Sequence, residues 1–214
     1  MAVCFKNRTD AGRRLALALE KFKDTHALIL ALPRGGVPLG YEIARHLNAG
    51  LDILLVRKIG APESPELAAG AVVDGDDPQL VLNENIVRLY NIPQTYIDSR
   101  MKQQLAEIER RRALYCAGRP SADIAGKTVI VVDDGIATGA TARAALRALR
   151  RRKPARLVLA VPVASPDALD DLAGEADEIV CLEKPSVLFS IGEFYRDFEQ
   201  VPDSVVVDFL KQSA

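Results

Sequence analysis

Short, almost entirely apolar runs alternate with helical segments along the whole chain, and this alternation restricts the fold more than any other feature. Two of these runs are residues 26–32 (HALILAL) and 128–132 (TVIVV). Strands without polar alternation are covered on both faces, as in parallel sheets. Each run is followed by a turn, a segment of helical periodicity and another strand, which is the βαβ unit. The sequence therefore predicts an α/β fold, a mostly parallel twisted sheet with helices on both faces.

The remaining elements follow from periodicity and from helix-end signals. Residues 9–22 are predicted as a helix with Asp10 as its N-cap, and residues 93–116 as one long amphipathic helix ending at Gly118. The other expected elements are strands at 52–56, 71–73, 79–82, 156–162 and 178–182, and helices at 37–47, 142–152, 167–173 and 202–210.

The length of 214 residues suits one domain, residues 1–214. We expect a helical insertion at about 84–117 and a small C-terminal hood at about 183–214. The insertion carries an apolar stripe of Ile97, Met101, Leu105 and Ile108 at helical spacing. Two alternatives stay open for that stripe, packing on the chain's own core or a homodimer contact.

Charge and composition exclude several classes of function. Lys and Arg number 28 against 29 Asp and Glu, so an overall basic, nucleic-acid-binding surface is not expected. The arginine clusters at 110–112 and 150–153 could still form a local patch, or simply solvated helix faces. No apolar stretch approaches 18 residues, so no membrane partner is expected. Three scattered cysteines and two histidines predict neither a zinc cluster nor a disulfide framework, and a cytoplasmic location is expected.

The segment VIVVDDGIATGAT, residues 129–141, carries the strongest chemical signal. A buried strand delivers the adjacent carboxylates of Asp133 and Asp134 to its C-terminal end, where parallel sheets bind ligands. A turn of small residues then opens a helix, and free backbone amides at such a point bind anions. Carboxylates that accept from hydroxyl groups beside an anion cradle suit a sugar phosphate.

This segment closely resembles the phosphoribosyl pyrophosphate (PRPP) signature of type I phosphoribosyltransferases, with Gly135 where a larger apolar residue is more usual. The resemblance implies that Asp133 and Asp134 hold the ribose 2- and 3-hydroxyls. It also implies a 5-phosphate cradle of Ala137, Thr138, Gly139, Ala140 and Thr141. A cofactor, Mg²⁺, is implied as well, held mostly by PRPP oxygens and water and by Asp133 and Asp134 at most.

Two further segments match the same family. The loop with Arg34, Gly35 and Gly36 stands where the family binds pyrophosphate and often has a non-proline cis peptide. Arg57 and Lys58 resemble the Arg-Lys pair that closes the next strand in adenine enzymes and contacts pyrophosphate. Residues 60–70 fall at the family's mobile catalytic loop, in which Glu66 could act or could simply face solvent. Arg34, Lys58, Glu66 and Asp134 are the expected catalytic residues.

The acceptor half matches more loosely. Residues 183–195 resemble the hood of 6-oxopurine enzymes, with Phe189 and Phe194 as candidates for base binding, although Phe189 could equally belong to the core. Those enzymes carry an aspartate where this chain has Ala137. The expected function is transfer of a 5-phosphoribosyl group from PRPP to a nitrogenous, purine-like base with release of pyrophosphate. A non-catalytic PRPP-binding regulator and a DNA-uptake accessory of the same fold are the alternatives.

Overall fold

The computed structural model describes residues 4–75, 77–117 and 120–213. The strands are β1 (Leu28–Ala31), β2 (Gly50–Ile53), β3 (Val56–Ala61), β4 (Ser64–Val73), β5 (Gln79–Leu82), β6 (Thr128–Val132), β7 (Arg156–Val163) and β8 (Glu178–Glu183). The helices are α1 (Arg8–Ala18), α2 (Gly36–Leu47), α3 (Glu84–Leu89), α4 (Gln94–Cys116), α5 (Ala140–Arg151), α6 (Pro166–Leu172) and α7 (Asp203–Gln212), with 3₁₀ turns at Glu20–Phe22 and Ile191–Phe194.

A five-stranded parallel sheet in the order β2-β1-β6-β7-β8 forms the centre of the molecule, which confirms the predicted fold class. Alternate residues of its strands enter two separate cores. Ile29 and Ile130 join α1, α2 and α7 on one face, whereas Leu30 and Val131 join α5 and α6 on the other. Both faces are thus buried, which is why the strands are continuous apolar runs.

A second sheet, antiparallel and three-stranded in the order β3-β4-β5, packs beside α5. It corrects two expectations. Residues 60–70 form most of a β-hairpin rather than a loop, and Arg57 and Lys58 begin β3 rather than end a strand of the central sheet. The expectation of a loop came from the family resemblance and not from the residues themselves. The pairing shifts register around Gly60, and such irregular pairing accommodates a proline in a hairpin.

Helix α1 differs from its prediction at both ends. Its N-cap is Asn7, whose side chain accepts from the Asp10 backbone N–H at 3.0 Å, so Asp10 is not the cap. Asp10 instead pairs with Arg14, 2.9 Å away. The helix ends at Ala18, and residues 20–22 form a separate 3₁₀ turn.

The predicted helical insertion contains α3 and α4. Ile97 and Ile108 of its apolar stripe are buried in the main core, and Met101 and Leu105 pack against that core. The stripe therefore packs against the chain's own core. A homodimer remains a prediction, and this stripe does not support it. The expected helix end at Gly118 lies outside the described residues. Over the ranges the structure describes, no helix combines the length and apolar character needed to cross a membrane.

Candidate functional site

The two signature carboxylates lie directly after β6, beside the loop that follows β1. Gly36 packs so closely that a methyl group on it would lie 2.5 Å from the Val132 carbonyl oxygen. A methyl group on Gly35 would overlap the Asp134 carboxylate. The Pro33–Arg34 peptide bond is cis, as the family resemblance implies. The structure thus brings together the expected ribose and pyrophosphate segments, and glycine is required at their contact.

The expected phosphate cradle forms the entry to α5. Gly139 precedes the helix with a φ of 73°, a left-handed conformation that glycine adopts without strain. The Ser165 hydroxyl donates to the Ala137 carbonyl at 2.7 Å, and the Ser165 N–H donates to the Ile136 carbonyl at 3.1 Å. Thr138 is exposed and Thr141 is half-buried. The connection between β7 and α6 therefore holds residues 136 and 137 in place, and the backbone amides at the start of a helix are groups that can bind an anion.

Arg8, at the start of α1, is a site residue that sequence reasoning missed. Its Nε donates to Asp134 Oδ2 at 2.7 Å, and both side chains are nearly buried. The guanidinium lies 3.8 Å from the centre of the Phe198 ring, and one of its terminal nitrogens donates to the Glu199 carbonyl at 2.7 Å. No local pattern in the first helix distinguishes this arginine from its neighbours, because its partner is 126 residues away.

The hood reaches the same carboxylate segment. The Tyr195 hydroxyl donates to the backbone carbonyl of Asp134 at 2.6 Å. A methyl group on Gly135 would lie 2.5 Å from Ile191 Cγ2. Ile191 thus fills the space that a larger residue at position 135 would need, which accounts for the departure from the family signature.

Electrostatics of the pair follow from burial and from Arg8. Burial raises the pKa of Asp133 well above its ordinary value, and the neighbouring charge of Asp134 raises it further. Burial also raises the pKa of Asp134, although the charge and hydrogen bond of Arg8 offset part of that rise. Asp133 and Asp134 repel each other when both are charged, and Arg8 is the cation beside them, so full ionisation of both carboxylates is unfavourable. Hydroxyl donors from a ligand would favour their charged forms.

The other basic residues expected at the pyrophosphate point in different directions. Arg34 lies 3.5 Å from Asp203 Oδ1 at the start of α7, and the Tyr115 hydroxyl donates to the same oxygen at 2.6 Å. Burial and that hydrogen bond raise the pKa of Tyr115 to about 12.

Arg57 and Lys58 are neighbours on β3 and therefore project to opposite faces of the small sheet. Arg57 Nε donates to Gln104 Oε1 of α4 at 3.0 Å, whereas Lys58 lines a cavity beside α5. Glu66 is exposed on β4.

The two candidate base-binding aromatics have opposite environments. The Phe189 side chain is 78% exposed, so it is free to meet a ligand. Phe194 is buried in the main core, and its backbone carbonyl accepts from the Phe5 N–H at 2.9 Å. Because Phe194 is buried, its side chain packs the hood against the main core and is not exposed to a base.

Most of the clustered arginines contact partners within the chain. Arg110 and Arg111 both donate to Glu107, and these hydrogen bonds lower the pKa of Glu107 to about 2. Arg112 contacts the buried carboxylate of Asp74. On α5, Arg150 pairs with Asp177 at 3.0 Å.

The two signature carboxylates are the residues here that could hold a metal ion. No group of three or more His, Cys, Asp or Glu side chains converges on one point within the described part of the chain. Mg²⁺ keeps several waters and binds through one or two carboxylates together with substrate phosphates. The carboxylate oxygens of Asp133 and Asp134 therefore fit an Mg²⁺ ion whose other ligands would be oxygens of a phosphorylated substrate and water.

Comparison with known proteins agrees with this geometry. Residues 6–197 match the model of the phosphoribosyl transferase domain. The structure of the protein TT1426 from Thermus thermophilus superposes with a TM-score of 0.86, at 41% identity over 98% of this chain and 99% of that one.

Curated relatives from two strains of Mycobacterium tuberculosis, both named provisionally as phosphoribosyl transferases, are 44% identical over 209 residues. This alignment covers 98% of the chain but 47% of each relative, so the chain spans about half the length of these relatives. A match of the domain model to most of the chain shows the family. The chain belongs to the phosphoribosyl transferase domain family.

Proposed function

We propose that the chain transfers the 5-phosphoribosyl group from PRPP to a nitrogenous base, with a purine-like acceptor favoured, and releases pyrophosphate. The observation that carries this proposal is the contact between the glycine loop and Asp134, beside the entry to α5. One edge of the central sheet then offers acceptors for ribose hydroxyls, amides for a 5-phosphate and a loop for pyrophosphate. The proposed setting is cytoplasmic.

In this reaction the bond between the ribose anomeric carbon and a pyrophosphate oxygen breaks, and a bond from that carbon to a base nitrogen forms. The electron pair of the broken bond leaves with pyrophosphate, and the proton of the attacking nitrogen passes to water. Positive charge develops on the ribose ring and negative charge on the leaving group, so catalysis depends on positioning and on electrostatic stabilisation. No covalent enzyme intermediate is needed.

Each residue has a proposed role in that scheme. Asp133 and Asp134 accept hydrogen bonds from the ribose hydroxyls, and Arg8 holds Asp134 in place. Amides of residues 137–141 bind the 5-phosphate, and Arg34, with the amides of Gly35 and Gly36, takes up charge on pyrophosphate. When bound, Mg²⁺ would supply Lewis-acid stabilisation of pyrophosphate and a template for the ribose hydroxyls.

The small sheet and the hood complete the proposal. Arg57, Lys58 and Glu66 belong to the β3–β4 hairpin, which we propose excludes water from the activated sugar. Phe189 is proposed to stack on the base. The DNA-uptake alternative loses support because Arg110, Arg111, Arg112 and Arg150 contact carboxylates of the chain itself, which leaves fewer free charges for nucleic-acid phosphates.

Calorimetry of PRPP binding with and without Mg²⁺, followed by a pyrophosphate-release screen over free bases, tests this function. We expect binding that depends on Mg²⁺ and release with one base. Asp134→Asn should lower kcat/KM for PRPP by about 100- to 1000-fold, as for other electrostatic stabilisers. Asp167→Asn, an exposed carboxylate at the start of α6, is the matched control.

Two results would contradict the proposal. PRPP binding without release for any base would leave a PRPP-binding regulator as the function. Absence of PRPP binding would mean that the carboxylate pair serves another ligand. Thermal unfolding of both variants accompanies the kinetics, because Asp134→Asn also removes the partner of the nearly buried Arg8.

A further inference from the structure

A cavity of about 250 Å³ lies between α5 and the small sheet. Four residues at helical spacing on α5 form one wall: Ala140, Arg143, Ala144 and Arg147. Small and apolar residues of β4 and β5 form the facing wall, including Ala71 and Val81. We call this cavity the α5 groove. Arg34, Gly35, Asp133 and Asp134 do not line it, so it lies apart from the contact between the glycine loop and the signature carboxylates. It does include Lys58, one of the two residues that the family resemblance places at pyrophosphate.

The charge of the α5 groove favours an anion. Lys58, Arg143 and Arg147 line it, against one lining carboxylate, Glu84. Arg147 also pairs with Glu175, which does not line the groove, at 2.6 Å, so within the part of the chain that the structure describes Lys58 is the groove cation without a carboxylate partner. Asn83 and Asn85 add neutral polar groups to the lining. Lys58 enters the groove because strand alternation turns it away from α4, the side that Arg57 contacts. Among the described residues no carboxylate forms an ion pair with the Lys58 ammonium group.

Arg143 supplies a second, independent observation. One of its terminal nitrogens pairs with Asp171 Oδ2 at 2.6 Å, but its Nε–H is enclosed and has no hydrogen-bond acceptor among the described residues. An enclosed donor without an acceptor costs free energy unless a ligand or water accepts from it. The Asp171 side chain is 64% exposed, and such a surface pair is weak enough to rearrange around a ligand.

We propose that the α5 groove is a second anion site, which binds a phosphomonoester of a small organic molecule. The phosphate would accept from Lys58, Arg143 and Arg147, and the organic part would lie on the apolar wall. A volume of about 250 Å³ is near the lower end of ligand pockets, so a sugar-sized ester fits better than a nucleotide. Ala140 belongs both to this groove and to the expected 5-phosphate cradle, so the occupant would contact the helix that serves PRPP.

Amide and arginine Nε–H signals in proton–nitrogen NMR spectra of the full chain test the proposal. Glycerol 3-phosphate is the probe, titrated at constant ionic strength in the presence of saturating Mg²⁺ and PRPP. The Arg143 Nε–H signal, assigned by its loss in Arg143→Lys, should shift saturably. Arg147→Gln should weaken the apparent affinity at least tenfold, since it removes one cation from the groove.

Arg150→Gln is the matched control, because Arg150 lies on the same helix as Arg147 and also pairs with a carboxylate, Asp177, but does not line the groove. An equal loss of affinity in this control would overturn the proposal, as would the absence of a saturable shift in the unmodified chain. Displacement of the probe by PRPP would assign it to the 5-phosphate cradle and also overturn the proposal. Equal affinity for inorganic phosphate would overturn the assignment to an ester.

The same titration without PRPP separates this proposal from the proposed function. If PRPP fails to bind but the Arg143 signal still shifts in a manner sensitive to Arg147→Gln, the second site holds and the transferase assignment fails. If PRPP binds and the Arg143 signal does not shift, the second site fails, and the pyrophosphate-release screen alone decides the transferase assignment.

Discussion

The phosphate side and the acceptor side of the candidate site differ in how completely the chain closes them. On the phosphate side, Gly35 and Gly36 leave no room for a methyl group against residues 132–134. On the acceptor side, Phe189 projects from the hood with 78% of its surface exposed. The first side has its shape before any ligand arrives, since packed backbone cannot rearrange cheaply. The acceptor side is open, so its contacts form only when a ligand binds. Substitutions on the two sides should therefore have different effects on stability and on ligand binding.

The two hood aromatics give the largest expected contrast. Phe194→Ala should lower the free energy of unfolding by about 3–5 kcal/mol, because it leaves a cavity in a buried cluster. Phe189→Ala should change it by less than about 0.5 kcal/mol, as for other exposed positions. Denaturant unfolding measures both values.

If Phe189 stacks on the base, its removal should raise the KM for the base by roughly 5- to 150-fold, which corresponds to about 1–3 kcal/mol of stacking. Steady-state kinetics with the acceptor found in the screen measure this effect. A normal KM in Phe189→Ala would leave the acceptor side without its proposed aromatic contact.

On the phosphate side, Gly35→Ala should destabilise the fold by about 1–3 kcal/mol and abolish PRPP binding, because the added methyl overlaps the Asp134 carboxylate. Gly174→Ala is the matched control, since nothing lies within 4 Å of its added methyl group. Thermal unfolding and PRPP calorimetry compare the two variants. PRPP affinity in Gly35→Ala equal to that of the control would show that the glycine loop is not fixed against the carboxylates.

The pH dependence of PRPP binding tests the electrostatics of the same side. Burial raises the pKa of Asp134, and its ionised form accepts hydrogen bonds from hydroxyl groups more strongly than its protonated form, so affinity should fall as pH decreases through that raised pKa. Arg8→Gln removes the positive charge that lowers the pKa of Asp134. As the pH decreases, this variant should therefore begin to lose PRPP affinity at a higher pH than the unmodified chain does.

Calorimetry over a pH series measures this shift, with Arg14→Gln as the control on the same helix. Arg14 pairs with Asp10 and does not contact the signature carboxylates. Coincident pH profiles for the unmodified chain and Arg8→Gln would exclude Arg8 as the residue that holds Asp134 ionised.

The smallest expected effect lies where the two sides meet, at Gly135 and Ile191. Gly135→Ala should cost about 1 kcal/mol, because its methyl would lie 2.5 Å from Ile191 Cγ2 and the Ile191 side chain would have to shift. Ile191→Ala should remove most of that cost in the double variant, with a coupling energy of at least about 0.5 kcal/mol. Additive stabilities in the double-mutant cycle would show that the hood and the signature are independent.

Sequence reasoning succeeded where chemistry is local. Residues 128–152 contain a strand, a turn and a helix in immediate succession, and their order alone places Asp133, Asp134 and the cradle at one sheet edge. It failed for residues 60–70, where the family resemblance implied a loop but pairing between β3 and β4 makes a hairpin. It also gave Arg57 and Lys58 one role, although their alternation on β3 sends them to opposite faces.

The amino-acid sequence by itself determined the fold class and the placement of Asp133, Asp134 and residues 137–141 at one sheet edge, because continuous apolar strands, small-residue turns and helix starts are properties of neighbouring residues. Only the tertiary structure decided that Arg8 pairs with Asp134, that Ile191 occupies the space beside Gly135 and that Lys58 shares a groove with Arg143. Each of these contacts joins residues more than 50 positions apart. Their energies depend on how α1, the hood and the small sheet dock onto the central sheet, and no local pattern encodes that docking.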